Sequence, residues 1–102
     1  MPSVHVLTRQ NLNADTPLTV SVGVASGTVL ARNLARRGAV FVNTSANRIS
    51  FGINTAAILD RGITIYGNGG TWHMDEHTFT LDAINAIASG AASALAVQEF
   101  SA

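Results

Sequence analysis

The sequence has no cysteine and no lysine, and only 12% of its 102 residues are charged. Without cysteine, a disulfide framework and a thiolate metal site are both excluded. Arginine supplies all six cations, a bias that favours bidentate or partly buried contacts at an interface, with drift in composition as an equally good explanation. The net charge is zero, so no electrostatic field steers the protein toward nucleic acid or an acidic membrane. We therefore expect no nucleic acid and no membrane as partners.

Hydrophobic residues are abundant, at 47% of a chain long enough for one two-layer core. No apolar run reaches the length of about 18 residues that a membrane-spanning helix requires. The first ten residues also lack the basic start of a signal peptide, so we expect a soluble product that is not secreted. A surface with so few charges predicts that part of it is covered by a partner.

The charges are distributed unevenly along the chain. Residues 1–59 carry five arginines and one aspartate, a net charge of +4, whereas residues 60–102 carry one arginine and five acidic residues, a net charge of −4. Two interpretations are open. Either strands from the two halves pair within one subunit and neutralise each other, or a positive face of one copy meets a negative face of the next.

The segment from Ala39 to Tyr66 dominates the strand pattern. Apolar residues alternate in AVFVN and again in ISFGI, with the two-residue period of a β-strand. The turn residues between them predict a β-hairpin, and GITIY predicts a third strand beside it. Thr64 and Tyr66 alternate with Ile63 and Ile65, so they face away from the apolar side.

The rest of the chain supplies further short strands separated by turn signals. LTVSVGV alternates strictly, TVLARNLARRG favours a strand and a turn over a short helix, GNGG predicts a hairpin loop, and LAVQEF closes the chain. We therefore predict an all-β, immunoglobulin-like antiparallel sandwich of seven to nine short strands over residues 18–102, with a small closed barrel as the alternative. The predicted core comprises Val20, Val22, Val40 or Phe41, Ile49, Phe51, Ile63, Ile65, Trp72, Ile87 and Val97.

Residues 1–17 form a predicted extended N-terminal arm outside this sandwich. Only VHVL alternates, and Pro17 separates the arm from the first strong strand. We expect Met1 to about Thr16 to act between subunits by adding a strand to a neighbour's sheet, where Arg9 would meet an acidic surface. The alternative is a frayed terminus or an ordinary edge strand of the same subunit.

Few residues have the chemistry of a catalytic or metal site. His73, Asp75 and His77 would project to one side of an extended strand and are a weak candidate for zinc. A solvated turn is favoured instead, because no fourth ligand accompanies them. No nucleophile-elbow, metalloprotease or phosphate-loop motif occurs in the sequence, so we predict neither enzymatic activity nor a cofactor.

Three arginines are the candidate contacts with another subunit or a capsid: Arg9, Arg36 and Arg37. Neighbouring residues of an extended chain point to opposite sides, so Arg36 and Arg37 do not form a single clamp. A solvated turn is the alternative for this pair. The NTS sequence at 43–45 spells an N-glycosylation acceptor, which we interpret as a turn because no secretion signal accompanies it.

Six short motifs follow one another between residues 28 and 100. They are an Arg before an apolar strand ending in Asn-x-Ser, then ISFGIN, a Gly-Ile-x-Ile strand, a Gly-Gly-x-aromatic step, an Ala-Ile-x-Ala-Ile strand and a Leu-x-Val-x-Glu strand. In this order they resemble a small β-sandwich module found in virion proteins of tailed bacteriophages. The N-terminal segment to Gly27 lies outside the shared pattern. The motifs lie at Arg37 with Ala39–Ser45, Ile49–Asn54, Gly62–Ile65, Gly69–Trp72, Ala83–Ile87 and Leu95–Glu99.

The resemblance implies a structural role in a virion assembled in the host cytoplasm, with no catalytic residues. We expect a capsid decoration or cement protein that binds and staples neighbouring coat subunits. Its expected partners are the major capsid protein or other virion subunits, and further copies of itself in a homo-oligomer. The alternative is a tail or fibre module that binds a host-surface glycan. A glycan site displays exposed aromatic rings, and the only Trp and Tyr fall within predicted strands, which favours the decoration protein.

Overall fold

The computed structural model describes residues 13–102, which form nine β-strands. The strands are short because Gly, Asn, Asp and Ser interrupt the apolar alternation every few residues. No helix occurs in this described part of the chain, and so none there is long and apolar enough to cross a membrane. The strands are β1 Asn13–Ala14, β2 Leu18–Val22, β3 Gly27–Leu30, β4 Arg36–Asn43, β5 Ile49–Ile53, β6 Thr64–Ile65, β7 Gly70–His73, β8 Ile84–Ala88 and β9 Ser93–Ser101.

The strands form two antiparallel sheets that pack face to face. Sheet A has the order β1-β9-β4-β7, with β2 also paired to β9, and sheet B has the order β3-β8-β5-β6. The pairs are nested along the sequence: β5 pairs with β6, β4 with β7, β3 with β8 and β2 with β9. A long hairpin of four strands out and four back, rolled into two layers, has this connectivity, which is that of a jelly roll.

The prediction of an all-β antiparallel sandwich is confirmed, and nine strands lie within the predicted range. The two separate sheets are not a closed barrel. The strand order is also not the immunoglobulin order, in which the sheets are ABED and CFG. Each of β3, β4 and β5 lies in the opposite sheet from the strand before it.

Two predicted hairpins are in fact connections between the sheets. β4 belongs to sheet A and β5 to sheet B, so the segment between them crosses the sandwich. GNGG likewise leads from β6 in sheet B to β7 in sheet A, with Asn68 at φ 61° and Gly69 at φ 107°. Positive φ at these residues agrees with the predicted turn. The prediction that the flanking strands pair with each other is wrong.

Asn43 fixes the first of these crossings. Its buried Nδ2 donates hydrogen bonds to the carbonyl oxygens of Asn47 (2.6 Å) and Ile65 (3.3 Å). Its Oδ1 accepts bonds from the main-chain N–H and the hydroxyl of Ser45, at 3.0 and 2.7 Å. A buried amide that is satisfied on both sides bridges the two sheets and specifies the bend. Burial of Asn43 agrees with the interpretation of NTS as a turn.

The core lies between the sheets and is centred on three aromatic rings. Phe41 is fully buried and stacks on Trp72 with 4.7 Å between the ring centroids, while Phe51 lies 5.2 Å from Phe41 and 5.0 Å from Trp72. Because Phe41 and Trp72 belong to sheet A and Phe51 to sheet B, the cluster joins the two layers. The other buried apolar residues are Val22, Val29, Leu30, Ala39, Ile49, Ala57, Ile65, Ile84, Ala86, Ala88, Leu95 and Val97.

The predicted core is wrong at Ile87. β8 buries Ile84 and the two alanines that follow it at two-residue intervals, so Ile87 lies on the outer side of the strand. At the ambiguous position, Phe41 is the buried residue and Val40 points outward. The remaining predicted residues lie in the core or pack against it.

Arg36 is fully buried and ties β4 to β9 and to two loops. Its Nε donates a hydrogen bond to Glu99 Oε2 at 2.6 Å. Its two Nη atoms donate to the main-chain carbonyls of Ala31 (2.7 Å), Thr80 (2.9 Å) and Asp82 (2.8 Å). A guanidinium can serve all four acceptors because it presents five N–H donors in one rigid plane. The Arg36–Glu99 pair joins the positive and negative halves of the sequence within one subunit.

The described part of the predicted arm belongs to the chain's own sheet. Asn13 and Ala14 form β1, which pairs with the end of β9. At these two residues the structure has the edge strand of the same subunit, which was the alternative. The rest of the arm, residues 1–12 with Arg9, lies outside the described residues, and its role between subunits stays a prediction.

Candidate functional site

The three predicted metal ligands lie at the end of β7 and in the turn after it. His73, Asp75 and His77 are all exposed, and Asp75 Oδ1 accepts hydrogen bonds from the main-chain N–H groups of His77 (2.8 Å) and Thr78 (3.0 Å). The bond from the His77 N–H is the main reason that the pKa of Asp75 lies below its ordinary value. Within residues 13–102, no group of three His, Asp or Glu side chains is placed to hold a metal ion. Asp75 instead stabilises the turn.

The structure separates the three candidate arginines. Arg36 is buried and bonded within its own subunit, so it does not present its guanidinium to a partner. Arg37 lies at the bulge between Arg36 and Gly38 and is exposed, and its role as a partner contact stays a prediction. Arg9 lies outside the described residues.

Apart from the exposed Arg37 at the bulge of β4, one side of sheet A carries no formally charged residue. In β4 and β9 every second side chain points away from the core, and the register places Val40 opposite Gln98 and Val42 opposite Ala96. A shallow groove of ≈ 230 Å³ runs along Val40, Val42 and Ala96. We name this surface the outer face of sheet A. Its members are Thr19, Ser21, Gly38, Val40, Val42, Thr71, His73, Ala94, Ala96, Gln98 and Phe100.

A polar cleft lies on the outside of the other layer, at the edge of sheet B. It has a volume of ≈ 400 Å³ and is lined by Arg48, Asp60, Gly62, Thr64 and Tyr66. Arg48 comes directly before β5, Asp60 and Gly62 belong to the loop between β5 and β6, and Tyr66 follows β6. We name this site the Tyr66 cleft.

A bidentate ion pair forms one wall of the Tyr66 cleft. Arg48 donates from Nε to Asp60 Oδ1 and from Nη2 to Asp60 Oδ2, the latter at 2.9 Å. These hydrogen bonds hold the pKa of Asp60 below its ordinary value and raise the pKa of Arg48 further above its own. The side chains remain 39% and 51% exposed, so a ligand can reach both.

The lowered pKa of Asp60 has a measurable consequence. Because the folded-state pKa lies below the unfolded one, the pair stabilises the fold above the ordinary pKa of about 3.9, and this contribution is lost as the pH falls through the lower folded value. We expect the carboxyl carbon of Asp60 to titrate below about pH 3.9 in NMR spectra. The substitution Arg48→Gln should move this midpoint upward.

Asp75 is the matched control for this titration, because its pKa is lowered by local hydrogen bonds and not by Arg48. Its midpoint should stay where it is in the Arg48→Gln variant. An Asp60 midpoint that does not respond to loss of Arg48 would contradict the assigned cause.

The sequence does not predict the Tyr66 cleft, although alternation points to one part of it. Alternation places Thr64 and Tyr66 on the side away from the core. The position of Tyr66 within a predicted strand nevertheless argued against an exposed aromatic platform. In the structure β6 ends at Ile65 and Tyr66 is 70% exposed. No periodicity connects Arg48 with Asp60, since only the path of the loop between β5 and β6 brings them together.

Comparison with known proteins identifies no relative: no family model, no curated protein and no solved structure matches the chain.

Proposed function

We propose that this protein is a non-enzymatic structural component of a virion, a capsid decoration or cement protein that binds neighbouring coat subunits. The observation that carries the proposal is the outer face of sheet A, which spans four strands and, beyond Arg37 at the bulged end of β4, has no Asp, Glu, Arg or Lys. The resemblance of the ordered motifs to phage virion modules supports the same role. In this proposal the coat protein covers that face.

The distribution of charge supports the choice of this surface. The charged residues among 13–102 lie in loops, at the bulge of β4 or, for Glu99, inside against Arg36. A surface patch depleted of charge and rich in apolar atoms is the pattern of the core of a protein interface. A strand face that carries only a shallow groove suits a protein partner, whereas a small-molecule site requires a more enclosed, concave shape.

Placing a charge on this face should weaken attachment to the particle. We expect Val42→Glu to bind virions at least about 10-fold more weakly than the wild type, because the partner must then desolvate a carboxylate without a counter-ion. The measurement is co-sedimentation of purified protein with virions of the encoding phage that were prepared without it. Urea unfolding of the variant checks that the sandwich is intact.

Leu34→Glu is the matched control, because Leu34 is 69% exposed in the loop between β3 and β4 and lies off this face. It should bind like the wild type. Gln98→Glu adds a charge to the face with almost no change in shape, and it should weaken binding even if Val42→Glu proves unstable. Full attachment of a folded Gln98→Glu protein would contradict the proposed contact surface.

The abundance of the protein in the virion separates this role from that of a fibre module. A cement protein occupies every repeat of the shell, so quantitative mass spectrometry should find it in numbers comparable to the coat protein. A copy number limited to a few per virion would overturn the decoration role.

A further inference from the structure

The Tyr66 cleft has the composition of a ligand site and lies on the layer opposite the outer face of sheet A. It combines a single exposed aromatic ring with an Arg–Asp pair and the Thr64 hydroxyl. A volume of ≈ 400 Å³ is within the range of sites that hold one or two sugar-sized groups. The polar side chains on the outer face of sheet A include no ion pair, so the two surfaces differ in the chemistry that they offer a ligand.

Tyr66 supplies a flat apolar surface in this cleft. It is the only tyrosine of the chain, and 70% of it is exposed even though it follows a buried residue, Ile65. A tyrosine ring offers contact area at a low cost in conformational entropy, because only two side-chain torsions must be fixed. An exposed ring beside hydrogen-bonding groups suits a ligand that has both C–H surfaces and polar edges.

The acidic wall of the cleft is held in place before any ligand arrives. Asp60 adopts a left-handed backbone conformation, with φ 65°, which a non-glycine residue takes up only at a cost. Its N–H donates to the hydroxyl of Ser50 at 2.8 Å, and that buried hydroxyl lies 2.8 Å from Thr64 Oγ1. Together with the two bonds from Arg48, this network fixes the carboxylate toward the cleft.

The charge of the site decides the class of ligand. Arg48 and Asp60 neutralise each other, so an anion such as phosphate would be attracted by the guanidinium but repelled by the carboxylate. A pair of neighbouring hydroxyl groups can instead donate to the carboxylate and accept from the remaining N–H groups of Arg48. The same ligand would place a C–H face on Tyr66.

We infer that the Tyr66 cleft is a subsite for a neutral sugar, with Tyr66 as the platform and the Arg48–Asp60 pair as the hydroxyl-binding group. The ligand class is a neutral hexose, deoxyhexose or N-acetylhexosamine, alone or at the end of a saccharide chain. This inference is independent of the proposed attachment to a capsid.

The test is an NMR titration of the ¹⁵N-labelled full-length protein. The probes are the methyl glycosides of glucose, galactose, mannose, rhamnose and N-acetylglucosamine. We expect at least one to shift the amide signals of residues 60–66 saturably, with a dissociation constant of about 1 mM, which is typical of a small ligand held by few contacts. A second arm presents the same sugars as surface-coupled oligosaccharides, so that a single sugar and a chain end are distinguished.

Three variants make the result specific. Tyr66→Ala and Asp60→Asn should each weaken sugar binding at least about 10-fold. Tyr66→Phe keeps the ring and should bind the sugar nearly as tightly as the wild type does. Phe79→Ala is the matched control, because it removes another exposed aromatic ring, 42% exposed, that lies outside the cleft. It should leave sugar binding unchanged.

Three outcomes would overturn the inference. The first is the absence of a saturable shift at residues 60–66 with every sugar in both arms. The second is saturable binding of inorganic phosphate at these residues without binding of a sugar, which would make the cleft an anion site. The third is sugar binding that survives Tyr66→Ala unchanged, which would place the ligand elsewhere.

Discussion

Replacing Arg36 with methionine is expected to lower the free energy of unfolding by about 3–5 kcal/mol, as removal of one partner of a buried ion pair generally does. The substitution leaves Glu99 only 12% exposed without its cation. It also leaves three main-chain carbonyls without the donor that now satisfies them. Since small domains are stable by about 5–15 kcal/mol, this loss is a large part of the total. Urea unfolding followed by far-ultraviolet circular dichroism measures it.

Arg37→Met is the control for the neighbouring position, because Arg37 is exposed. Its effect should stay within about 0.5 kcal/mol. The loss in the free energy of unfolding for Arg36→Lys should lie between those for Arg36→Met and Arg37→Met. A single ammonium group cannot reach all the acceptors that surround the planar guanidinium. Replacing both partners, as Arg36→Met with Glu99→Leu, should recover part of the loss because no buried charge is then left unpaired. A loss below about 1 kcal/mol for Arg36→Met alone would contradict the structural role.

The second large effect is expected for Phe41→Ala, which should destabilise the fold by about 3–5 kcal/mol. Phe41 is fully buried and contacts both Trp72 and Phe51, so truncation opens a cavity where the two sheets meet. The rings around the cavity belong to paired strands and cannot collapse into it completely. Urea unfolding gives the size of the effect.

The control for Phe41 is Phe79→Ala, in which the same side chain is removed from a position that is 42% exposed. Its cost should remain below about 1 kcal/mol. Phe41→Leu should cost less than Phe41→Ala because it leaves a smaller cavity. Equal losses for Phe41→Ala and Phe79→Ala would mean that the aromatic cluster does not hold the layers together.

Alternation along the chain predicts which residues face the core, and it succeeds for the large side chains of β4 to β7, whereas Leu18 and Val24 at the ends of the alternating LTVSVGV are exposed. Phe41, Ile49, Phe51, Ile65 and Trp72 are all found in the core. It fails at Ile87, because alanines there continue the buried row and the isoleucine points outward. In a strand whose neighbours leave room only for small side chains, residue size does not predict which side chains are buried.

The pairing of strands could not be obtained from the same pattern. Turn residues after Asn43 and around Asn68 show where the chain reverses, but a reversal within one sheet and a crossing between two sheets use similar residues. What distinguishes the first crossing is the buried side chain of Asn43, a residue of sheet A, which donates to Asn47 in the connection and to Ile65 in sheet B. Such a contact is visible only in three dimensions.

Two pairs of polar residues show that sequence patterns also predict little about sites. Arg36 and Arg37 are adjacent and identical in type, and alternation predicts that they point to opposite sides, but it does not predict which of the two is buried. Arg48 and Asp60 meet only because the loop between β5 and β6 folds back over β5. Chemistry that depends on a loop path leaves no periodic trace in the sequence.

The position of β9 also constrains when the fold can form. It is the last strand in sequence, but it lies inside sheet A and pairs with β1, β2 and β4. During synthesis, at about 5–20 residues per second, β4 can pair with β7 first, whereas β1 and β2 have no partner in sheet A until β9 has been made. The unpaired N–H and C=O groups at the edges of these strands are meanwhile exposed to other nascent chains. Sheet A is therefore completed only by its last strand, and until then its open edges favour aggregation.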